Sequence, residues 1–248
     1  MGNRRRENFA LLAPLYVGLS TQRVLNRKMD TIAFNIANAG TPGFRAEQIR
    51  FEELVARPAN VSFPSGGGSE ISQVGGPIIQ TKGKWDVSIV GDGWFAVQGG
   101  GGRVYTRDGR FSLTSTGALV SVNGASVLDV GGGPIVLDPA GPQPVIARDG
   151  MIQQGAVSVG AIGLFRFPPQ AQLERAEGSA VRSSDEPAPI TDFTKDGVRQ
   201  GYVENSNVNP VEQLAKLIQV QRQFEMVSGS TQASEMSLAE AIRMLGPS

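Results

Sequence analysis

The chain has 248 residues, with 23 basic and 23 acidic side chains and neither histidine nor cysteine. These counts exclude an imidazole general base, a thiol nucleophile, a zinc site built from cysteine or histidine, and any disulfide. The balanced charge also argues against the broad basic surface that a nucleic-acid-binding protein needs. We therefore expect no metal and no cofactor, and only carboxylates, hydroxyls, lysine, arginine and tyrosine remain for any chemistry.

The N-terminal segment is predicted to form one helix from Pro14 to Asn38. Pro14 suits the first turn of a helix, where its missing N–H removes no hydrogen bond. A seven-residue repeat places apolar residues on one side of this helix. The continuous part of that repeat consists of Leu25, Met29, Ile32 and Ile36. The pattern predicts a helix that packs against a partner helix.

The first residues also imitate a secretory signal, because basic residues 4–6 precede the apolar stretch 9–19. Pro14 interrupts that stretch and no Ala-x-Ala cleavage site follows, so we expect no cleaved signal peptide. No apolar run approaches the roughly 18–20 residues of a membrane span, and we expect no direct insertion into a membrane.

Short β-rich runs separated by turns fill the middle of the chain. Five Asx-Gly dipeptides, of the kind that supply positive φ angles in tight hairpins, begin at residues 92, 108, 123, 149 and 196. The predicted strands cover 87–90, 94–97, 103–106, 111–114, 118–122, 125–128, 135–137 and 157–167. This pattern predicts an antiparallel β domain. Two stretches, 58–76 and 174–189, are predicted to be linkers or mobile loops.

The C-terminal segment is predicted to form a helix from Pro210 to Leu245. Asn209, Pro210 and Glu212 occupy the N-cap, N1 and N3 positions, where they supply a capping side chain, a preset φ and a reciprocal carboxylate. The apolar packing positions are Leu214, Leu217, Ile218, Phe224, Leu238 and Ile242. Polar residues and a glycine interrupt the middle of the repeat, so we expect both terminal helices to be poorly ordered in an isolated monomer and to gain structure from neighbouring molecules.

Two patterns could carry chemistry, and both have a simpler interpretation. Residues 91–96 match G-x-G-x-x-A, but four glycines follow where a dinucleotide site needs a helix, so we expect a turn. Asp92, Asp108, Asp149 and Asp196 could form the carboxylate pair of a cell-wall hydrolase. Each of them precedes a glycine, and a local role in a turn is favoured. Hydrolysis of peptidoglycan is kept as a remote alternative.

Two segments at opposite ends of the chain form a more specific combination. The first ends the N-terminal helix, with a type II turn expected at Pro42-Gly43, and its characteristic residues are Asn35, Ala37, Asn38, Thr41, Gly43 and Phe44. The second precedes the C-terminal helix, and its characteristic residues are Gly201, Tyr202, Ser206, Asn207, Val208, Asn209 and Pro210. With these segments the chain resembles the bacterial flagellar axial proteins, the family of rod, hook and hook-associated subunits. Phe34 stands where the family usually has asparagine.

The resemblance implies an α+β fold in which the terminal helices, residues 1–45 and 205–248, form an inner, discontinuous coiled-coil domain. Residues 46–82 would be an extended linker, and residues 83–204 an outer β-rich domain. It also implies a structural subunit of the proximal rod of the basal body, or, as an alternative, a distal rod or hook-like protein.

Such a subunit would transmit torque from motor to hook. Its partners would be copies of itself, other rod proteins and the flagellar type III export apparatus, and it would lie in the rod that spans the periplasm.

Overall fold

The computed structural model describes the backbone of residues 2–56 and 61–245 and the side chains of residues 15–49, 68–240 and 243–244. Within these ranges the chain forms two helices and eighteen strands. The helices stand at the two ends of the chain and flank a mainly antiparallel β region, so the fold class is α+β.

The chain divides into two compact units. The helical unit comprises Met1–Ile36, Glu47–Ser69 and Asn209–Ser248, and the β unit comprises Ala37–Ala46 and Glu70–Val208. Residues 37–46 and 205–208, which the prediction grouped with the terminal helices, therefore make their contacts within the β unit.

The first helix, α1, covers Gly2–Ala37. It begins twelve residues before the predicted start, so Pro14 lies inside the helix and the predicted first-turn role is wrong. An internal proline costs about 3 kcal/mol relative to alanine. Ala10, Leu11 and Leu12, which precede it, are among the best helix formers and extend the helix towards the N-terminus.

The second helix, α2, covers Pro210–Leu245, which confirms the predicted range. The predicted N-cap is also confirmed, because Asn209 Oδ1 accepts hydrogen bonds from the backbone N–H groups of Val211 at 3.1 Å and Glu212 at 3.3 Å. The Glu212 carboxylate was expected to bond back to the cap, but it pairs with Lys216 Nζ at 2.6 Å, one turn along the helix.

Two paired strands, β1 (Glu47–Ala56) and β2 (Val61–Ile71), belong mainly to the helical unit. The prediction of a structureless linker at 58–76 is wrong over β2. The sequence of β2 contains three consecutive glycines and lacks alternating apolar residues, so it gives no strand signal. Residues 57–60 lie outside the described part of the chain.

The remaining strands are short and form the β unit. They are β3 (Ile78–Gln80), β4 (Val87–Val90), β5 (Trp94–Gly99), β6 (Gly102–Thr106), β7 (Phe111–Leu113), β8 (Leu119–Ser121), β9 (Ser126–Val127), β10 (Pro144–Ile146), β11 (Met151–Gln154), β12 (Val157–Ala161), β13 (Leu164–Arg166), β14 (Leu173–Arg175), β15 (Val181–Ser183), β16 (Ala188–Pro189), β17 (Gly197–Gln200) and β18 (Tyr202–Glu204).

The largest sheet in the described part of the β unit has nine strands. Its main path runs β14-β15-β6-β5-β9-β8-β7, and β13 joins it by pairing with both β5 and β16. The pair β5–β6 is antiparallel, with Phe95 opposite Thr106 and Val97 opposite Val104. Side chains from several strands bury a common core, in which Phe95, Leu119 and Val127 have no exposed surface.

Several predicted strands and turns differ in detail. Residues 135–137 contain one isolated bridge, between Val136 and Ala118, rather than a strand, and the run 157–167 is divided into β12 and β13. The predicted loop 174–189 contains β15 and β16, which extend the large sheet.

The Asx-Gly turns also divide into two groups. Positive φ occurs at Gly124, Gly150 and Gly197, as expected, but not at Gly93 or Gly109. In the turn at residues 91–93, the first glycine has the positive φ. Gly109 has a different requirement, since a Cβ there would collide with the backbone oxygen of residue 87.

Neither α1 nor α2, over the residues described, is apolar enough along its length to cross a membrane.

Candidate functional site

The first signature segment forms a tight turn after α1. The backbone N–H of Thr41 donates to the carbonyl of Asn38 at 3.1 Å, and the N–H of Phe44 donates to the carbonyl of Thr41 at 3.2 Å. Gly43 has a φ of 68°, which confirms the predicted type II turn. A Cβ on Gly43 would also collide with the backbone of Asp108, so this position requires glycine for two reasons.

Asn35, in the same signature, anchors the start of β1 within the helical unit. Its side chain is buried, its Nδ2 donates to the carbonyl of Glu47 at 2.8 Å, and its Oδ1 accepts from the N–H of Glu47 at 2.9 Å. The amide thus imitates one rung of an antiparallel ladder. An aspartate at position 35 could not donate, which explains why the signature has an amide here.

Asn207, in the second signature, holds three pieces of the β unit together. Its Oδ1 accepts from the N–H of Ala46 at 2.7 Å, and its Nδ2 donates to Ser72 Oγ at 3.2 Å and to the carbonyl of Val74 at 2.9 Å. Its backbone N–H donates to the carbonyl of Phe44 at 3.3 Å. The two signatures, distant in sequence, therefore meet in the β unit.

A small apolar cluster accompanies these hydrogen bonds. It consists of Phe44, Ala46 and Val208, all buried, with Ala39 packed against them. Ser206 Oγ accepts from the N–H of Val208 at 3.2 Å.

The remaining residues of the second signature lie before this cluster. Gly201 has a φ of 77° between β17 and β18, and Tyr202 begins β18.

Three charged side chains are buried beside this meeting point. Arg45 is 0% exposed, Arg107 3% and Glu204 2%. Arg45 Nη2 lies 2.8 Å from Glu204 Oε1, and Arg107 Nη1 lies 3.1 Å from Glu204 Oε2. Glu204 Oε1 also accepts from the N–H of Gly76 at 3.1 Å. The carboxylate of Glu204 thus joins Arg45, which follows the first signature, to Arg107, which lies in the turn after β6.

Both guanidinium groups also lie over the buried indole ring of Trp94. Their central carbons are 5.7 Å (Arg45) and 5.5 Å (Arg107) from the ring centroid, within the range of a cation–π contact. Burial lowers the pKa of Arg45 from its ordinary value to about 10, and the nearby Arg107 adds to this decrease while Glu204 opposes it. Burial lowers the pKa of Arg107 as well. The cluster carries an excess positive charge away from water, and Glu204 is its main counterion.

The predicted helix-packing residues fall into three groups. Leu25 and Ile32 are buried together with Val220, and Met29, Ile36, Leu217 and Phe224 are partly buried and pack against them, as does Val227. This cluster brings α1 and α2 together within the helical unit. The sequence repeat did not include Val220 or Val227, because it placed the neighbouring Gln221 and Ser228 at these packing positions; the residues that pack, 217, 220, 224 and 227, have the same alternation of three and four.

Leu214 and Ile218 form the second group, and they are 48% and 52% exposed. They belong to a series of large apolar side chains that α2 leaves exposed, which we call the outward row. It consists of Val211, Leu214, Ile218, Met226, Met236 and Met244. The third group contains Leu238, which is half-buried, and Ile242, whose side chain lies outside the described part of the chain.

The helices approach closely at Gly18. A Cβ at this position would collide with the side chain of Thr231, which is buried. The hydroxyl of Thr231 donates to the carbonyl of Val227 at 2.8 Å within α2, so burying it leaves no unpaired donor. The polar residue that interrupts the apolar repeat of α2 is thus accommodated by a glycine of α1.

The aspartates of the Asx-Gly dipeptides make structural contacts, which are local for Asp108 and Asp149 and long-range for Asp196. Asp108 pairs with Arg110 at 2.7 Å, Asp149 Oδ1 accepts from the N–H of Met151 at 3.0 Å, and Asp196 accepts from the N–H of Asp92 at 3.1 Å. Asp196 also pairs with Arg166. These contacts support the structural interpretation of the aspartates.

Comparison with known families matches three successive parts of the chain. Residues 15–45 match "Flagella basal body rod protein", residues 88–154 match "Flagellar hook protein FlgE/F/G D1 domain", and residues 199–244 match "Flagellar basal body rod FlgEFG protein C-terminal". The first and third matches contain the two signatures and the residues at which α1 and α2 pack together.

Curated relatives cover nearly the whole chain. The flagellar basal-body rod protein FlgF of Mesorhizobium japonicum is 44% identical over 94% of this chain and 97% of its own. FlgF of Rhizobium meliloti is 39% identical over 94% and 98%, and the rod protein FlgG of Bacillus subtilis is 29% identical over 94% and 99%.

These relatives are structural rod proteins, so the chain is a structural component of the flagellar basal body and not an enzyme. The higher identities to FlgF than to FlgG disfavour the distal-rod alternative. The chain belongs to the FlgF family of flagellar basal-body rod proteins.

Proposed function

We propose that the chain assembles into the proximal rod through its terminal helices, which form an inner coiled-coil domain with the helices of neighbouring copies and of other rod proteins. In this proposal the parts of residues 1–45 and 205–248 that belong to the helical unit make the inner domain, and residues 83–204, which belong to the β unit, make the outer one. The rod spans the periplasm and transmits torque from motor to hook. The subunit reaches it through the flagellar type III export apparatus, without a cleaved signal peptide.

The outward row of α2 is the observation that carries this proposal. Its six large apolar side chains are exposed, although such residues gain free energy when they leave water. Contiguous exposed apolar surface on a soluble protein marks a site of interaction. Helices of adjacent subunits would cover this row in an assembled rod.

The geometry of α2 lets it contact partners on two sides at once. Ile218 and Val220 are two residues apart, so they project about 160° from each other at 3.6 residues per turn. Val220 is buried against α1, whereas Ile218 is exposed. One side of α2 therefore packs within the subunit, and the opposite side is available to a neighbour. Contacts that do not close on themselves generate the helical filaments that a rod requires.

Torque transmission requires firm attachment of the segments that lead into the helices. Arg45 and Ala46, which follow α1, and Glu204 and Asn207, which precede α2, are tied to one another by two hydrogen-bonded or ionic contacts of 2.7 to 2.8 Å. Because the first contact is buried and the second is part-buried, water competes with them less than at a surface. They support the proposal that the β unit holds the two segments that lead into the helices firmly to each other.

Charge substitutions in the outward row test the proposal. We expect Leu214→Asp and Ile218→Asp to abolish motility while export continues, because a buried, unpaired carboxylate is costly at a subunit interface. Export is measured as secreted protein, and incorporation is measured in purified basal bodies.

Two further variants serve as controls in the same helices. Ser237→Asp introduces the same charge at an exposed position outside the row and should preserve motility. Ile32→Asp, on the buried side of α1, should abolish motility through loss of the contact between α1 and α2. Normal incorporation of Leu214→Asp and Ile218→Asp would refute assembly through the outward row.

A further inference from the structure

The β unit contains a groove that assembly through the helices does not use. It has a volume of about 430 Å³ and lies between segments 84–85, 113–115 and 138–144, with Gln154 beneath the last of these. Trp85 and Leu113 line it, and both are half-buried and pack against the main core. Its rim carries the exposed side chains of Lys84, Ser115, Asp138 and Gln143.

The wall formed by residues 138–144 is held by the side-chain amide of Gln154. Its Oε1 accepts from the N–H of Asp138 at 3.0 Å, and its Nε2 donates to the carbonyls of Asp138 at 3.0 Å and Pro142 at 3.2 Å. The N–H of Ala140 donates to Asp138 Oδ1 at 2.9 Å. One buried amide therefore fixes both ends of this loop.

A second amide connects the two walls. Gln200 Nε2 donates to the carbonyl of Lys84 at 2.8 Å and to that of Pro144 at 3.1 Å, and its Oε1 accepts from the N–H of Ile146 at 3.1 Å. Segments 84–85 and 144–146 are thus held at a fixed separation before any ligand arrives. A groove formed in advance saves the entropy that a mobile one would lose on binding.

We propose that this groove binds an oligosaccharide. The indole ring of Trp85, which lines the groove, matches the apolar face of a sugar ring, because the C–H groups of that face pack against an aromatic surface. The rim supplies the complementary polar contacts, since the Asp138 carboxylate accepts from hydroxyl or acetamido N–H groups and the Gln143 amide both donates and accepts. Small-ligand sites typically combine such an aromatic surface with a few placed polar groups.

The charge and lining of the groove disfavour other ligand classes. Lys84 and Asp138 have opposite charges, so the rim does not concentrate the positive charge that a phosphate or nucleotide requires. Polar side chains on the rim disfavour a lipid chain, which would leave them without water or partners. A proline-rich peptide would need a longer aromatic-lined surface than one tryptophan provides.

Tryptophan fluorescence of the full chain tests the proposal. The chain has two tryptophans, and Trp94 is 3% exposed beneath two guanidinium groups, so a solute in the groove changes the emission of Trp85. The probes are chitotetraose, which carries acetamido groups, and cellotetraose, which carries only hydroxyls. We expect a saturable change in emission with at least one of them, and Trp85→Phe should remove that signal.

Calorimetry with variants identifies where the sugar binds. Gln143→Ala and Asp138→Asn change exposed rim residues and should keep the thermal transition of the protein, yet weaken binding about tenfold, as loss of about 1.4 kcal/mol implies. Gln153→Ala, at an exposed position on β11 outside the groove, should bind like the unchanged protein.

Three results would overturn the proposal: no saturable response to either sugar, unchanged affinity in both rim variants, or binding of a proline-rich peptide in place of the sugars. All groove variants should still assemble into rods, so failure here is distinguishable from failure of the proposed assembly.

Discussion

The two units of the molecule bury their apolar residues to very different degrees. In the β unit, side chains such as Phe95, Leu119 and Val127 lose all contact with water inside a single chain. In the helical unit, Leu25, Ile32 and Val220 are buried, but the outward row of α2 stays exposed. Long helices depend on packing for most of their stability. The β unit thus buries most of its described large apolar side chains, whereas the helical unit leaves more of them exposed than it buries, as expected if other molecules cover the helices as proposed.

Removal of α2 is the strongest test of this difference. We expect a chain lacking residues 210–248 to lose motility entirely but to retain a cooperative thermal transition, because the β core contains no residue of α2. Circular dichroism on heating measures the transition. A truncated chain without cooperative unfolding would show that the two units depend on each other for stability.

Glu204→Gln tests how strongly the β unit depends on its buried charges. The substitution leaves Arg45 and Arg107 buried without a carboxylate, and breaking such an arrangement costs about 3–5 kcal/mol of unfolding free energy. Denaturant unfolding of the purified protein measures the change. Glu186→Gln, at an exposed position of the same unit, should alter stability by less than about 0.5 kcal/mol. Equal stability of both variants would contradict the role given to the cluster.

Two helical glycines provide a matched comparison within the helical unit. Gly18→Ala should weaken the contact between the helices by roughly 1–3 kcal/mol, because the new methyl group collides with Thr231. Gly229→Ala meets no atom within 4 Å and should stabilise α2 by about 1 kcal/mol through helix propensity. The helical signal in circular dichroism during heating measures both. A stabilising Gly18→Ala would refute the close approach at this position. Combining Gly18→Ala with Thr231→Ala should recover the stability lost in the single variant, because it removes the colliding side-chain atoms.

The smallest expected effect is a pH dependence that Arg45 contributes. Its pKa is lowered to about 10 in the folded protein, below that of an arginine in the unfolded chain, so above about pH 9 the unfolded chain binds more protons and stability rises with pH. As the pH rises from 8 to 10.5, the unfolding free energy of the wild type should therefore increase by up to about 1 kcal/mol relative to that of Arg45→Met. Arg182→Met, at an exposed position, is the control and should show no such trend. An opposite slope would contradict the effect of burial.

Local signals explain which parts of the fold the sequence predicts well. The start of α2 follows from a capping asparagine and a proline that act on adjacent residues, and the turn at Gly43 follows from its own φ requirement. The start of α1 was missed because proline signals a helix start more strongly than alanine and leucine signal a continuation. The expected disorder of the terminal helices in an isolated monomer remains a prediction.

Long-range pairing explains what the sequence does not predict. Arg107 and Glu204 are 97 residues apart, and charged residues are expected at the surface unless a partner is known. Arg45 follows the last residue of the first signature, and Glu204 lies between Tyr202 and Ser206 of the second, but no local pattern indicates that they are buried together. The outward row was predicted only in part, since Leu214 and Ile218 were expected to pack but the direction of packing depends on where α1 lies.

The bond between Ala46 and Asn207 joins residues 161 positions apart, and the buried carboxylate of Glu204 lies next to it. A polypeptide delivered end first, in either direction, cannot form these contacts until nearly all of its central region has emerged. Closure of the β unit is thereby postponed to the last stage of delivery. The contacts that close the β unit are therefore absent from an incompletely delivered chain.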